Sequence, residues 1–420
     1  MRKLITFFTL FFSFFLCSQE HLFTLLDESK TGIDFSNDLV DTKEHSIFLY
    51  ANYYGGAGVG IGDFDNDGLE DIFLAANLLD DKIYKNLGNL KFEDKTKMSG
   101  IINNGSWSTG VTVADVNNDG LLDIYVSCEL YDDLPILRTN KLYINKGNFK
   151  FKESAEDWGV DVDRRTRHSV FFDFNNDGLL DLYLLNHPPN TGNFSPFFGT
   201  DMTLPEYNLQ LFENKGNHFE DVTESAGLDR SGFPNAAVIG DFNKDGWPDI
   251  YVANDFDAPD FLYFNNKDGS FTYKTETSLR HTSFYSMGVD AADINNDSHL
   301  DLMVLDMTAE DNFRLKSNMS GMNPDSFWSV VNGGGHYQYM FNTLQINNGN
   351  NTFSDIAQLT GTAATDWSWA SLVADFDNDG NKDIYITNGL LRDIRNTDAD
   401  KKITEIVSKK INEYIIKNPN

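Results

Sequence analysis

Cysteine is nearly absent from this 420-residue protein, which has only Cys17 and Cys128. Cys17 lies in the export segment described below, so the mature protein would keep one cysteine and could form no intrachain disulfide. An exported protein without disulfides needs another source of stability, and a bound metal ion can supply it. The scarcity of cysteine therefore directs attention to metal ligands.

Basic residues are also scarce, with 33 Lys and Arg against 64 Asp and Glu and a formal net charge of −31. This imbalance disfavours nucleic acid and anionic membrane surfaces as partners. The acidity does not indicate disorder, because the charge is clustered and aromatic residues make up 14% of the sequence. The composition is that of a folded protein with a sizeable core.

Long apolar runs are missing except near the N-terminus, where Leu4–Leu16 follows Arg2 and Lys3. The run is too short to span a bilayer, so no transmembrane span is predicted. The basic, apolar and polar order instead predicts a signal peptide over residues 1–19 and an exported protein that is periplasmic, on the outer-membrane surface or extracellular. Cys17 is a possible lipid anchor, although a bulky leucine precedes it, and ordinary cleavage near residue 19 is the alternative.

Several catalytic signatures are absent as well. The sequence has no G-x-S-x-G, H-E-x-x-H or G-x-x-x-x-G-K motif, which argues against a serine hydrolase elbow, a zinc protease helix and a phosphate-binding loop. An enzymatic activity is not predicted from motifs, although the sequence leaves the question open.

One short acidic pattern is present six times. The copies are DFDNDGLED from residue 63, DVNNDGLLD from 115, DFNNDGLLD from 173, DFNKDGWPD from 241, DINNDSHLD from 293 and DFDNDGNKD from 375. So many like charges in nine residues would repel one another in a folded protein unless a cation is bound. We number these segments loop one to loop six.

The spacing of oxygen donors in the loops favours calcium. Side chains at positions one, three, five and nine and the backbone carbonyl at position seven would surround one point with hard oxygen ligands. The predicted ligands are Asp63, Asp65, Asp67, Leu69, Asp71, Asp115, Asn117, Asp119, Leu121, Asp123, Asp173, Asn175, Asp177, Leu179, Asp181, Asp241, Asn243, Asp245, Trp247, Asp249, Asp293, Asn295, Asp297, His299, Asp301, Asp375, Asp377, Asp379, Asn381 and Asp383. We predict up to six structural Ca²⁺ ions, with weaker binding in loop five, where Ser298 replaces the glycine at position six. An EF-hand is excluded because position twelve is an apolar strand residue instead of Glu.

The segments around each loop predict the fold. Apolar, β-rich runs precede and follow every loop, and an Asn/Gly hairpin module follows in five of the repeats. Each unit therefore contains four antiparallel strands, and units of this size are blades of a β-propeller. We predict an all-β propeller over residues 20–420, with blades at about 55–100, 107–158, 166–227, 234–280, 284–361 and 367–420.

The two ends of the predicted ring differ from the regular blades. The sixth blade has no third or fourth strand in the sequence, so we predict that it is incomplete, that the sequence is truncated at its C-terminus and that the parent protein has seven blades. Leu22–Ile33 is predicted to be an outer strand that completes the last blade. The final segment has apolar residues at helical spacing and is predicted to form an amphipathic helix.

The acidic loops resemble the FG-GAP or VCBS repeats of integrin α-subunit propellers and of bacterial exported proteins. The order of LFTLLDESKTGIDF, GGAGVGIGDFDNDGLEDIF, LLNHPPN and MTAEDNFRLK resembles most the bacterial ASPIC/UnbV, cartilage acidic protein-like family. The resemblance covers about residues 21–420. It implies a seven-bladed propeller with structural Ca²⁺ in its blades and no established enzyme activity.

The direction of the strands predicts where a ligand would bind. Strand two of each blade runs away from the acidic loop, so the long insertions after it lie on the opposite face. We predict a calcium-stabilised binding or adhesion scaffold that takes a glycan or protein on that face. The predicted ligand-face residues are Trp107, Arg167, His168, Tyr285, Trp328 and Trp367.

Two points about that face stay open in the sequence. Trp369 is predicted to pack between blades, whereas Trp107 and Trp367 could be exposed and stack on sugar rings or be buried between blades. Arg164–Ser169 together with His187 could instead serve a polysaccharide lyase that acts on an acidic polysaccharide. The simpler interpretation is that these basic residues pair with neighbouring carboxylates.

Overall fold

The structure, a computed structural model, describes residues 22–47, 49–50, 52–131, 133–188, 205–256, 258–317, 322–389 and 396–417. The predicted signal peptide and Cys17 lie outside these ranges. Within them, no helix combines the length and the apolar character needed to cross a membrane.

Six sheets form the blades of a β-propeller, as predicted, and strands are numbered in sequence order. Blades one to five are four-stranded antiparallel sheets whose strands follow the order of the sequence. Blade one contains β1 (Val59–Gly62), β2 (Asp71–Leu74), β3 (Lys82–Asn86) and β4 (Phe92–Asp94). Blade two contains β5 (Trp107–Ala114), β6 (Asp123–Glu129), β7 (Lys141–Asn145) and β8 (Phe151–Glu153). Blade three contains β9 (Arg165–Phe172), β10 (Asp181–His187), β11 (Gln210–Asn214) and β12 (Phe219–Asp221).

Blades four and five repeat this arrangement, and the sixth sheet differs. Blade four contains β13 (Pro234–Gly240), β14 (Asp249–Asn254), β15 (Phe261–Asn265) and β16 (Phe271–Tyr273). Blade five contains β18 (Val289–Ala292), β19 (Asp301–Val304), β22 (Thr343–Asn347) and β23 (Phe353–Asp355). The sixth sheet contains β20 (Met307–Thr308), β24 (Asp366–Ala374) and β25 (Asp383–Asn388). A short parallel pair joins β17 (Thr282–Ser283) to β21 (Gln338–Tyr339).

Helices are short except for the last one. They are α1 (Glu28–Thr31), α2 (Thr96–Ser99), α3 (Pro135–Arg138), α4 (Ala155–Trp158), α5 (Thr275–Ser278), α6 (Asn312–Ser317), α7 (Pro324–Asn332), α8 (Ala357–Thr360) and α9 (Thr397–Lys417). The amphipathic helix predicted at the end of the sequence is confirmed by α9. Two of its apolar side chains are about half exposed, with Ile403 at 51% and Ile406 at 56%.

The core lies between neighbouring blades. Tyr183 and Leu211 of blade three pack in one cluster with Ile250 and Tyr263 of blade four, and all four side chains are buried. The second strand of a blade is covered on both faces, which explains its continuous apolar sequence; every residue of β10, for example, is buried. The blades therefore stabilise one another by burying shared apolar surface.

The segment before blade one corrects one prediction. Leu22–Ile33 contains the one-turn helix α1 and no strand, so the predicted outer strand is wrong. Its position nevertheless links the two ends of the ring. The ring of Phe23 lies 5.4 Å from that of Phe376 and 5.2 Å from that of Tyr385, both in the sixth repeat. Gly32 lies against blade one, because a Cβ added to it would be only 2.6 Å from the carbonyl oxygen of Phe92.

Candidate functional site

The acidic loops join strands one and two at the same end of every blade, and their own backbone holds them in shape. In loop one the Asp63 carboxylate accepts the N–H groups of Asp67 at 3.0 Å and Gly68 at 2.7 Å. The aspartate at position one makes the same two bonds in the other five loops. Side chains at this position are therefore oriented before any ion binds.

Two residues of each loop adopt a left-handed backbone. Position four has φ between 54° and 60°, and the glycines at position six have φ between 82° and 89°. Ser298 takes the glycine's place in loop five with φ 69°, a conformation that costs an L-residue free energy. The difference supports the expectation of weaker binding in loop five, which remains a prediction.

The aspartate at position nine fixes the loop to the blade. Asp71 accepts the N–H groups of Phe64 at 2.9 Å and Asn86 at 2.8 Å, and its side chain is fully buried. Burial raises the pKa of this carboxyl to about 6 despite those bonds, and the nearby Asp65 adds to the shift. Burial likewise raises the pKa of Asp123 and of Asp249 to about 7. A bound cation would favour the ionised form of each group.

The donor set fits Ca²⁺. Carboxylate oxygens of Asp63, Asp65 and Asp71 lie within 4.8 Å of one another, and those of Asp375, Asp377 and Asp383 do the same. Asp65 Oδ1 is buried and has no hydrogen-bond partner among the described residues. Hard oxygen donors around one point, one of them with no partner, suit a calcium ion. The side-chain and carbonyl ligands predicted for the six loops stay predictions.

A repeated asparagine links neighbouring blades beside the loops, and the sequence pattern did not identify it as a link. Asn145, at the end of β7, donates through Nδ2 to the carbonyl oxygen of Phe64 in loop one at 2.9 Å and to that of Leu122 in its own loop at 3.0 Å. Asn214, Asn265 and Asn347 make the equivalent pair of bonds. The signal was the asparagine shared by the five hairpin modules, which alone could not show its partner in another blade.

A cavity of about 390 Å³ lies at the centre of the ring, towards the opposite end of the inner strands. Residues from the first strand region of all six blades line it, including Gly58, Thr109, His168, Asn235 and Trp369. In blades two, three, four and six the pairing of strands one and two shifts register at this end of the strands. Such bulges change the direction in which side chains point.

A scan against protein-family models matches the FG-GAP-like repeat over residues 38–126, 198–252, 241–304 and 323–386, which together make up more than half of the protein. The chain belongs to the FG-GAP-like repeat family. The predicted family is confirmed, and the cartilage acidic protein-like relationship is supported by similarity to human cartilage acidic protein 1.

The similar regions of curated proteins are partial. This FG-GAP-like protein is 23% identical to cartilage acidic protein 1 of Homo sapiens over 207 residues, or 49% of its own length and 29% of that relative. It is 29% identical to phosphatidylinositol-glycan-specific phospholipase D of Bos taurus over 150 residues, or 31% of its own length and 17% of that relative. The matches thus span less than a third of either relative's length.

Two solved structures align with low TM-scores. An Agrocybe aegerita lectin that recognises non-reducing terminal N-acetylglucosamine aligns with a TM-score of 0.43 and 17% identity over 78% of the FG-GAP-like protein and 73% of its own length. An ancestral GH74 enzyme aligns with a TM-score of 0.41 and 12% identity over 80% of the FG-GAP-like protein and 35% of its own length. These scores are too low to transfer a ligand or an activity.

The predicted ligand face is partly wrong. Trp107 is 1% exposed and packs against the rings of Tyr50 and Tyr53, because residues of the N-terminal segment cover it. Trp367 is 6% exposed and pairs with Met307 of β20. Neither tryptophan can stack on a ligand in this arrangement.

Arg167 is also largely buried. Its side chain is 9% exposed, and Nη1 lies 3.5 Å from the Glu129 carboxylate, which also accepts the hydroxyl of Tyr50 at 2.5 Å. This contact agrees with the simpler interpretation of the basic segment, in which arginine pairs with a carboxylate. Arg167 still lines the central cavity, so part of it borders the space that a ligand would enter.

Other residues at this end of the ring are accessible. Trp328 is 52% exposed on α7, and Tyr285 is half-buried against the rings of Phe256 and Phe284. Trp369, which we predicted to pack between blades, is half-buried and lines the cavity, with Nε1 donating to the carbonyl oxygen of Gly389 at 2.6 Å. The register shift between Ser368 and Ser371 exchanges the roles of the two neighbouring tryptophans.

The histidines proposed for catalysis occupy different environments. His187 is buried, and its Nε2 lies 2.8 Å from the carbonyl oxygen of Pro234. His168 is half-buried and lines the cavity. Burial, together with the nearby Arg167 charge, lowers the pKa of His168 to about 4, so its imidazole is neutral at neutral pH. The structure therefore leaves His168 as the accessible member of this pair.

Proposed function

We propose that this protein is an exported, calcium-stabilised β-propeller that binds a glycan or protein ligand on the face opposite the acidic loops. The observation that carries the proposal is the central cavity, where His168, Asn235 and Trp369 from three different blades face one space. An indole, a neutral imidazole and an amide can stack on a sugar ring and exchange hydrogen bonds with its hydroxyl groups. A rigid ring with irregular loops on one face is also a common arrangement for recognition.

Calcium has a structural role in this proposal. The donors of each loop come from nine consecutive residues, and the loop is anchored through position nine to strand three of the same blade, as Asp123 is to the N–H of Asn145 at 2.7 Å. Asn145 in turn bonds to the preceding loop. An ion in one loop would therefore stiffen the connection between two blades, and little of its coordination would remain for a substrate.

Ligand binding can be tested with matched tryptophan variants. A panel of neutral and acidic glycans is screened with the calcium-saturated full-length protein, and the hits are measured by calorimetry. We expect His168→Ala and Trp369→Ala, which both change the lining of the cavity, to weaken binding tenfold or more, whereas Trp247→Ala, in loop four on the other face, should bind normally. If both variants on the opposite face bind normally and Trp247→Ala loses binding, the ligand binds on the face of the acidic loops and the proposed binding face is wrong.

A polysaccharide lyase is the second candidate, because Arg167 and His168 are adjacent at the cavity. An arginine could neutralise a uronate carboxylate while a neutral imidazole accepts a proton. The test is incubation with acidic polysaccharides while the absorbance of unsaturated products is followed. New absorbance that disappears in His168→Ala would favour the lyase, and binding without turnover would favour the scaffold.

A further inference from the structure

We infer that Lys85 acts as a built-in cation for loop one, so that this loop binds Ca²⁺ more weakly than loop six although their acidic ligands match. The inference rests on the proposed binding of calcium by the acidic loops. It changes the expected ranking of the loops, because the sequence singled out only loop five as weak.

The ammonium group of Lys85 lies among the loop-one carboxylates. Lys85 Nζ forms a salt bridge with Asp65 and a second with Asp67 at 2.6 Å. The side chain of Lys85 is 19% exposed and that of Asp65 is 17% exposed, so water screens this pair only in part. The ammonium also lies 5.4 Å from the centre of the Phe149 ring in blade two, which helps to hold it there.

Loop six provides an internal comparison. Residues 63–68 and 375–380 both read DFDNDG, and each loop has four aspartates at the predicted ligand positions. In both loops the acidic side chains at positions one, three and nine converge within 4.8 Å. Among the residues that the structure describes, no lysine contacts the carboxylates of loop six. Two differences separate these acidic clusters. One is the lysine at loop one, and the other is the anchor of position nine, since Asp71 accepts from Phe64 and Asn86 whereas Asp383 accepts from Phe376 among the described residues.

Charge explains why a lysine is tolerated at loop one. Loops two to five have asparagine at position three and so carry three ligand aspartates each. With Lys85 counted, the four ligand aspartates of loop one sum to −3, which equals the charge of the three ligand aspartates in each of those loops. The lysine compensates for Asp65, the additional carboxylate.

The position of Lys85 is equivalent in every complete blade, one residue before the inter-blade asparagine at the end of strand three. The equivalent residues are Ile144, Glu213, Phe264 and Ile346. Glu213 has the opposite charge and accepts from Asn175 of loop three at 3.2 Å. A side chain at this position thus reaches the loop, and in blade one it carries the charge that competes with a metal ion.

Lys267 approaches loop four more weakly than Lys85 approaches loop one. Lys267 Nζ lies 3.0 Å from the carbonyl oxygen of Asp245 and 3.5 Å from its carboxylate in loop four. Lys267 is 44% exposed and reaches one carboxylate instead of two. Its removal should therefore have a smaller effect on calcium binding than removal of Lys85.

The test compares Lys85→Ile with Lys82→Ile in the full-length protein. Isoleucine occupies the position of Lys85 in blades two and five. Lys82 lies on the same strand as Lys85 but pairs with Asp94, so it serves as the control. Calcium binding is measured by equilibrium dialysis over a range of free Ca²⁺. We expect one site in Lys85→Ile to bind roughly tenfold tighter or more, because a unit positive charge within a few ångströms of the ion has been removed. Lys82→Ile should bind as the wild type does.

Two further variants locate the effect and protect against a folding failure. Asp67→Ala added to Lys85→Ile should abolish the gain, because it removes a ligand of loop one. If Lys85→Ile does not fold, Lys85→Gln keeps the length of the side chain without its charge. In chelator, Lys85→Ile and Lys85→Gln should each have a lower Tm than the wild type. Asp65→Asn added to either variant should raise the Tm again, because it removes the uncompensated carboxylate.

The outcomes separate this inference from the calcium proposal. If the wild type binds calcium and the Lys85 variants bind the same number of ions with the same affinities, the built-in cation is wrong while calcium stabilisation stands. If the wild type binds no calcium at millimolar concentrations, the calcium proposal fails and the competition fails with it. A gain that survives Asp67→Ala would also overturn the inference, because it would arise in another loop.

Discussion

Asp249 and Asp260 of blade four lie at opposite ends of the same strand pair, and both are buried carboxylates that accept backbone N–H groups. Asp249, at position nine of loop four, accepts from Phe242 and Asn265, each at 2.9 Å. Asp260, just before strand three, accepts from the N–H of Asn254 at 2.8 Å and from the hydroxyl of Tyr251 at 2.6 Å. Burial raises the pKa of each to about 7.

The repeats show that the two ends tolerate different residues. At the position of Asp260, blades two and five use Asn140 and Asn342, whose amide oxygens accept the equivalent N–H groups at 2.8 Å and 2.7 Å. At position nine, all six loops keep aspartate. A neutral amide acceptor is thus sufficient at one end, whereas the other end has a carboxyl group in every repeat. This contrast supports the proposal that the carboxylates of the loops serve a cation, because hydrogen bonding alone does not require them.

Removal of calcium should produce the largest effect on stability, and it should act only at the loop end of each blade. At about 5 mM Ca²⁺ each occupied loop should stabilise the fold by roughly 1–2 kcal/mol, given affinities of about 10⁻⁴ to 10⁻³ M. We expect Tm to fall by many degrees when chelator replaces calcium, and addition of Mg²⁺ should restore little of it. Identical melting curves in chelator and in calcium would contradict the proposal.

Asn214→Ala should give the next largest effect, because it cuts the link between blades two and three. Asn214 Nδ2 donates to the carbonyl oxygens of Val116 at 2.8 Å and Leu180 at 3.0 Å, and alanine leaves both without these donors. We expect a loss of about 2–4 kcal/mol in urea unfolding. Asn217→Ala, at an exposed turn of the same hairpin, should change stability by less than about 0.5 kcal/mol. Equal losses in both variants would show that the link is unimportant.

The ionisation of Asp260, at the end opposite the loops, should make the free energy of unfolding depend on pH. Its folded pKa is raised to about 7 from the ordinary value of 3.8. The folded protein therefore holds a proton between pH about 4 and pH about 7 that the unfolded protein releases, and this contribution to stability falls as pH rises through that window. In Asp260→Asn we expect a fall between pH 5 and pH 7 that is smaller by roughly 1–2 kcal/mol than in the wild type.

Calcium-saturated protein is the appropriate sample for that measurement, because a bound cation would favour the ionised form of the buried carboxyls at position nine, whose pKa is otherwise raised. Asp268→Asn, in the exposed turn after β15, provides the control and should keep the wild-type dependence on pH. A wild-type slope that persists in Asp260→Asn would show that another group holds the proton.

Ser298→Gly should give the smallest effect and tests the one loop that departs from the repeat. Serine holds φ 69° there, and glycine at that position should relieve about 1 kcal/mol of backbone strain. We expect a slightly higher Tm and tighter calcium binding by loop five. Gly246→Ser, the reverse change in loop four, should have the opposite sign, and changes of the same sign in both variants would contradict the strain argument.

The loop end of the molecule was easier to predict than the opposite end. The six acidic loops, their bounding strands and the left-handed glycines follow from a nine-residue pattern whose partners are close in sequence. Burial of Trp107 depends instead on Tyr50 and Tyr53, which precede it by more than fifty residues. The exchange of roles between Trp367 and Trp369 depends on a bulge that alternation along the strand does not reveal.

The repeat, the all-β class and the convergence of oxygen donors could be predicted from the sequence, because each rests on contacts within one blade or one loop. The contacts between residues of different blades became visible only in the three-dimensional structure. Examples are the bond from Asn145 to Phe64, the place of Lys85 beside Phe149, and the cavity shared by His168 and Trp369. These contacts depend on how one sheet is placed against the next, and packing of apolar side chains between blades sets that placement without leaving a local pattern.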